Sequence, residues 1–238
     1  MNKISLFDKR LLQETASSEE ELESFIERRL KGEPVAKIIG KKGFWKDDFI
    51  VTQDVLDPRP DSETLIEAVL SKFPNKEETL RFLDLGTGSG CLLLSLLGEY
   101  KSATGIGIDI SEKTIEIAKQ NTHTERVQFI LRDMKKDLSD LRKFDIMVSN
   151  PPYIPTTEIQ NLEADVKNYD PILALDGGKD GLDFYRALTK QRLAPHLFIE
   201  IGKGQEQQIR PLFEQEGWQF IQSWKDLGGI TRVLYFKN

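Results

Sequence analysis

One stretch constrains the fold of this chain more than any other. An apolar run, Phe82, Leu83 and Leu85, stops at Gly86-Thr87-Gly88-Ser89-Gly90, and Leu92, Leu93, Leu96 and Leu97 follow at helical spacing. A strand that turns through glycines into a helix gathers free backbone N–H groups at one point, where a carboxylate or phosphate can approach the main chain. The dinucleotide fingerprint orders its glycines as G-x-G-x-x-G, whereas the third glycine here comes one place early and Cys91 stands next. Asp109 ends the following apolar run, where a carboxylate can accept hydrogen bonds from both hydroxyls of a ribose. Loop and acid together suit a nucleoside that carries an amino acid. With no ligand they would be a tight turn and a surface acid ahead of the Ser111 helix cap, but the order strand, loop, helix, strand, acid favours the ligand. Asp133, after the third run, can receive an adenine amino group while Met134 packs on the ring, or it can be one of the acids common in turns.

After Asn75, strand and helix patterns alternate, as in a parallel sheet with helices on both faces. Strands are expected over Leu80–Leu85, Ala103–Asp109, Val127–Leu131, Phe144–Ser149 and Leu197–Ile201. Helices are expected near Gly90–Gly98, Glu112–Asn121, Lys135–Leu141 and Gly181–Leu193. The end departs from this rhythm. Gln205–Glu216 reads as a helix, and Trp218–Trp224 and Ile230–Phe236 as strands joined by Asp226-Leu227-Gly228-Gly229, a hairpin.

Ahead of this core, Ser18-Glu19-Glu20-Glu21 is a capping box for a helix with Leu22, Phe25, Ile26 and Leu30 on one face, and Leu6–Leu12 suits a second helix. Phe44-Trp45 and Phe49-Ile50-Val51 suit a hairpin, Pro58 and Pro60 break regular structure, and Asp61 or Ser62 can cap a helix that buries Leu65, Ile66, Val69 and Leu70. The expected organisation is a short helical segment over 1–32, a hairpin and linking helix over 33–74, and an α/β domain over 75–238. A Rossmann-like doubly wound sheet closed by an antiparallel hairpin is the arrangement of a class I methyltransferase, whereas dinucleotide-binding sheets stay parallel.

Composition narrows the partners. A chain of 238 residues can bury one large core. Its net charge of -6 disfavours binding nucleic acid mainly through phosphates, although a local basic patch stays open. With Cys91 as the single cysteine and only His123 and His196 besides, no intrachain disulfide can form and no metal site is expected. Charges run through residues 1–30 and no later stretch approaches about 18 unbroken apolar residues, so a cytoplasmic protein without membrane contact is expected.

The chemistry is suggested by Asn150-Pro151-Pro152-Tyr153, directly after the fourth strand, at the edge where open parallel sheets bind ligands. A nitrogen conjugated to a carbonyl or an aromatic ring has a delocalised lone pair and attacks a sulfonium methyl poorly unless it is held and polarised. The Asn150 side-chain oxygen and the Pro151 carbonyl can each accept an N–H from such a planar group, with Asn150 also next to the cofactor. Pro151 and Pro152 restrict the backbone, and Tyr153 can stack on the flat acceptor. By itself the motif could be a proline turn whose Asn caps a strand end.

Taken together, these motifs resemble those of the HemK-type family, the release factor glutamine methyltransferases. The similarity runs from about Glu33 to Lys237 and includes Asp57-Pro58-Arg59-Pro60-Asp61-Ser62-Glu63-Thr64, Asp84–Gly90, Val148–Ile154, Tyr169-Asp170-Pro171, Ala174–Leu182 and Ile199-Glu200-Ile201-Gly202. The resemblance implies S-adenosyl-L-methionine as cofactor, bound by Gly86, Thr87, Gly88, Ser89, Gly90 and Asp109. It further implies peptide chain release factors as protein partner, a target glutamine held by Asn150, Pro151, Pro152 and Tyr153, and Arg59 to Glu63 near the active-site mouth. The chain departs from the family in three places. About 30 residues precede the shared region where the family has a longer helical domain, Asp170 stands where Glu is common, and Ala194-Pro195-His196-Leu197 lacks the usual glycine. The alternatives are an adenine-amino methyltransferase acting on DNA or RNA, which would need basic and aromatic contacts for a flipped base, and a binding module that keeps the fold without chemistry.

Overall fold

The computed structural model describes residues 4–141 and 143–238, so the first three residues of the 1–32 segment lie outside it. Helices α1 (Leu6–Thr15) and α2 (Glu19–Leu30) pack Leu12 and Phe25 against Ile38 of α3 (Val35–Ile39). Ser18 caps α2 by accepting from the Glu21 N–H at 3.2 Å. The reciprocal half of the capping box is absent, because the Glu21 carboxylate takes the N–H and hydroxyl of Ser17 at 2.7 and 2.6 Å.

The expected hairpin forms from β1 (Lys41–Phe44) and β2 (Asp47–Ile50), which send Phe44 and Phe49 into the main core. Helix α4 (Glu63–Lys72) buries Leu65, Ile66, Ala68 and Val69 in the same core. Ser62 precedes α4 in a 3-10 turn over Pro60–Ser62 and makes no capping hydrogen bond. Of the two expected caps, Asp61 or Ser62, it is Ser62 that holds the N-cap position, but its hydroxyl accepts from Asn150 and not from the helix backbone.

The alternating region gives β3 (Arg81–Leu85), α5 (Cys91–Glu99), β4 (Thr104–Asp109), α6 (Glu112–Gln120), β5 (Val127–Leu131), β6 (Ile146–Ser149), α7 (Ala164–Tyr169), α8 (Asp183–Leu188) and β7 (His196–Glu200). Helix α9 (Glu206–Gln215) and strands β8 (Gln219–Lys225) and β9 (Thr231–Lys237) complete the chain. The seven-stranded sheet has the order β5-β4-β3-β6-β7-β9-β8; β5 to β7 pair in parallel, and β9 pairs antiparallel with both β7 and β8. The C-terminal hairpin therefore closes the sheet as the sequence suggests. Leu92, Leu93, Leu96 and Leu97 of α5 are buried on the sheet, and each contributes about 1.5–3 kcal/mol.

Two expected helices differ. Lys135–Leu141 forms turns, because the Asp133 and Asp137 side chains accept the N–H two residues ahead at 2.8 and 2.9 Å and so compete with helical bonding. The expected Gly181–Leu193 helix is cut to α8. Beyond Leu188 the bonds tighten to three-residue turns, and the Gln191 amide donates to the carbonyls of Met134 and Lys136 at 3.0 Å each.

Candidate active site

The sheet order reverses between β3 and β6, since β4 and β5 lie on one side of β3 and β6 and β7 on the other. Loops leaving the carboxyl ends of adjacent strands splay apart at such a point and leave a crevice. There the chain forms an open cleft, the concave kind of site that small ligands occupy. The glycine loop supplies one wall, the ends of β4 and β5 supply Asp109, Asp133 and Met134, and β6 supplies Asn150 and Pro152. Residues from Asp54 to Arg59 roof the cleft, with Leu173, Ala174 and Phe184 at its edge.

The loop geometry accounts for its glycines. Gly86 has φ 76°, and a side chain on Gly90 (φ 83°) would lie 2.9 Å from the Phe129 ring, so both the backbone and the packing require glycine. Thr87 donates its hydroxyl to Asp84 Oδ2 at 2.7 Å, while the Asp84 Oδ1 and the Ser89 hydroxyl are buried without a hydrogen-bond partner among the described residues. Burial pushes the Asp84 carboxyl up to about 7, opposed by the Thr87 hydrogen bond and reinforced by Asp109. Asp109 accepts from the N–H of Gly88 at 3.1 Å and of Ser111 at 3.0 Å; burial raises its pKa and those N–H bonds oppose the rise. An unpartnered hydroxyl in the loop, an acid at the end of β4 and apolar walls from Val55, Ile110 and Met134 fit an amino acid joined to a nucleoside, as in S-adenosylmethionine.

On the other side of the cleft, the Asn150 amide donates to Ser62 Oγ at 3.0 Å, and no donor to its Oδ1 occurs among the described residues. The Ser149 hydroxyl donates to the Leu85 carbonyl at 2.6 Å and ties the end of β6 to the end of β3. Tyr153 packs its ring on Gly202, and its carbonyl accepts the Gln205 amide at 2.9 Å. Burial pushes its phenol up to about 12, so it stays protonated at neutral pH. The roof is pinned by Lys37, buried in α3. Its ammonium donates to the carbonyls of Thr52 at 2.7 Å and Val55 at 2.5 Å, and faces Asp57 at 2.7 Å as an ion pair rather than an aligned hydrogen bond. Arg59 pairs with Asp170, so the family departure at Asp170 touches a residue that lines the cleft. Arg232 bridges Asp61 at 2.7 Å and Asp226 at 2.8 Å.

Of the residues singled out from the sequence, Gly86, Thr87, Gly88, Ser89, Asp109, Asp133, Met134, Asn150 and Pro152 line one cleft. Gly90 lies behind it, and Pro151 and Tyr153 are outside the cleft lining. The Asp133 side chain is used in its own turn. Residues that sequence reasoning gave no role are Lys37, the Asp54–Leu56 roof, Phe184 and Glu200, the last quoted only within the family signature. Glu200 did carry a signal: it is a lone acid in the apolar run Leu197-Phe198-Ile199-Glu200-Ile201, and strands buried on both faces rarely hold one.

Comparison with known proteins gives the family. The family model described as "Methyltransferase domain" matches residues 76–190. The release factor glutamine methyltransferase of Rhodospirillum rubrum is 43% identical over 229 residues, covering 92% of this chain and 69% of that protein. The protein of the same name from Caulobacter vibrioides is 41% identical over 222 residues, covering 90% and 76%. Among solved structures, the hMettl16 catalytic domain in complex with MAT2A 3'UTR hairpin 6 superposes with a TM-score of 0.63 at 16% identity, covering 79% of this chain and 74% of that one. Magnesium protoporphyrin IX methyltransferase from Synechocystis with bound SAH superposes with a TM-score of 0.52 at 18% identity, covering 74% and 83%. These two likenesses concern the fold alone. By sequence the chain belongs to the release factor glutamine methyltransferases, and its fold is that of the class I S-adenosylmethionine-dependent methyltransferases.

Proposed function

We propose that this chain methylates the side-chain amide nitrogen of the glutamine in the Gly-Gly-Gln loop of peptide chain release factors, using S-adenosylmethionine, in the cytoplasm. The observation that carries this reading is the placement of Asn150. It lines the same cleft as the glycine loop and Asp109, and Ser62 engages its NH2 so that its oxygen is left to accept.

S-adenosylmethionine supplies an electrophilic methyl group when bound. In our reading Gly86 to Gly90 receive its amino-acid end, Asp109 its ribose, and Asp133 and Met134 its adenine. An amide nitrogen is a weak nucleophile, so its two N–H groups are accepted by Asn150 Oδ1 and the Pro151 carbonyl, which hold the nitrogen in one plane and stabilise the positive charge that develops on it. Pro152 stiffens the loop. The neutral phenol of Tyr153 cannot serve as a base at pH 7, and the family resemblance assigns it to the seating of the acceptor. A pocket of this kind is reached by a protruding loop whose glutamine has no bulky neighbours before it, as in Gly-Gly-Gln.

Because Asn150 acts chiefly on the acceptor, Asn150→Ala should lower turnover about a hundredfold or more while S-adenosylmethionine affinity by calorimetry changes little. Near-normal turnover in that variant would exclude the proposed mechanism.

A further inference from the structure

Next to Asn150 lies a buried carboxyl that the proposed chemistry leaves unused. Glu200 ends β7, and Ser149 stands level with Ile199 in the β6–β7 pairing, so Glu200 comes level with Asn150. Its side chain shares the sheet face of Phe198, the face on which α4 packs, and Ser62 at the head of α4 and Asn150 both lie within hydrogen-bonding reach of its carboxyl. Glu200 is 2% exposed and its Oε2 has no aligned donor among the described residues. Such a group is costly to bury and calls for a reason.

We propose that Glu200 is a positioning residue: its carboxylate, acting through Ser62, sets the Asn150 amide so that the oxygen and not the NH2 faces the acceptor nitrogen. The inference rests on the reading of Asn150 given above and adds what orients it. A hydroxyl can donate or accept and an amide can face either way, so the 3.0 Å contact between Ser62 and Asn150 has no intrinsic direction. A carboxylate only accepts. When the Ser62 O–H is given to Glu200, the Ser62 oxygen is left to accept Asn150 Nδ2, and Asn150 Oδ1 turns outward. The negative charge beside Asn150 favours the same orientation, because it attracts the NH2 end of the amide and repels the oxygen. Once the carboxyl is protonated it donates instead. Ser62 can then donate to Asn150 Oδ1, the amide turns over, and its NH2 meets a substrate amide that also offers N–H.

The charges around Glu200 put this reversal in a working range. Burial pushes the carboxyl up to about 7; Ser62, Arg232 and Asn150 pull it down, while Asp61 pushes it up. Arg232 is already shared between Asp61 and Asp226, and Tyr153, Tyr185 and Cys91 also feel the Glu200 charge, which together with burial raises all three. Protonation is favoured below pH 7, so the oriented state is lost as pH falls and gained as it rises.

The test measures single-turnover methyl transfer to a release factor from pH 6 to 8.5 at saturating S-adenosylmethionine, with cofactor affinity measured in parallel. The wild-type rate should rise about tenfold between pH 6 and pH 8. E200Q should be flat across this range and about tenfold or more slower at pH 8, with cofactor affinity within about threefold of wild type. S62A should lose the same acidic limb, and the double variant should be no slower than the slower single one. An acidic limb that survives in E200Q, a wild-type rate at pH 8 in E200Q, or a flat wild-type profile would each overturn the inference. If E200Q does not fold, S62A decides, and a limb that survives there overturns it too. No transfer to the factor by wild type at any pH removes the substrate reading together with this inference, whereas transfer that E200Q leaves unchanged removes only this inference.

Discussion

Asp84 and Asp109 lie at the ends of adjacent strands and do different work. Asp109, paired with two backbone N–H groups, was readable from the sequence because its place depends only on the order of strand, loop and acid. Asp84 is fully buried, and its consequence is thermodynamic. Its carboxyl is raised from 3.8 to about 7, so the folded state binds the proton more tightly than the unfolded state. The group therefore costs nothing at pH values below the unfolded value, and its cost grows as pH rises from 3.8 until it is complete above 7. Asp84→Asn carries no such cost. Its stability relative to wild type should improve by about 2 to 3 kcal/mol between pH 5 and pH 8, read by urea unfolding at both. An equal difference at the two pH values would mean that Asp84 is ionised as easily in the fold as in water. What sequence reading could not give is which distant residues meet. Ser62, read as a helix cap, meets Asn150 across 88 positions of sequence and Lys37 meets Val55 across 18, and no local pattern encodes such a meeting.

Among the elements, strands were more legible than helices. All five parallel strands fall within two residues of their expected limits, because a buried strand declares itself as a short apolar run between turn residues. The missing helix at Lys135–Leu141 shows what an apolar period cannot reveal, namely that Asp133 and Asp137 satisfy the backbone locally. The Asp176–Asp180 stretch was read only through the family resemblance and Gly181 as a helix start, and the structural role of the segment is now plain. Gly177 leaves no room for a side chain, which would lie 2.8 Å from the Tyr153 Cα, and at Gly181 (φ 76°) a side chain would fall on the Tyr153 carbonyl oxygen. The segment is a backstop for the Asn150–Tyr153 loop, and Ile154 bridges it at Asp176. Gly181→Ala should lower stability by about 1 to 3 kcal/mol and reduce methyl transfer more than cofactor binding, since the strain falls on the acceptor side of the cleft. Thermal melts and single-turnover rates check this; wild-type values for both would show that the loop does not lean on the segment.

At the scale of the molecule, the sheet places two loops from opposite sides of one switch point so that one faces a cofactor and the other an acceptor. No helix among the described residues is long and apolar enough to cross a membrane. We propose that residues 1–32, 33–74 and 75–238 divide the work, the first docking the partner, the second roofing the cleft through Asp54–Arg59, and the third carrying the cofactor loop and Asn150. The shared fold with methyltransferases of other substrates means that architecture alone does not choose the acceptor. The choice rests on the family and on the Asn150 pocket, and one measurement addresses it directly. Enzyme and methyl-labelled S-adenosylmethionine are incubated separately with a release factor, with the same factor carrying Gln→Ala in its Gly-Gly-Gln loop, with DNA and with ribosomal RNA. Label on the wild-type factor alone is expected; label on either nucleic acid, or undiminished label on the Gln→Ala factor, would contradict the assignment of glutamine as the acceptor.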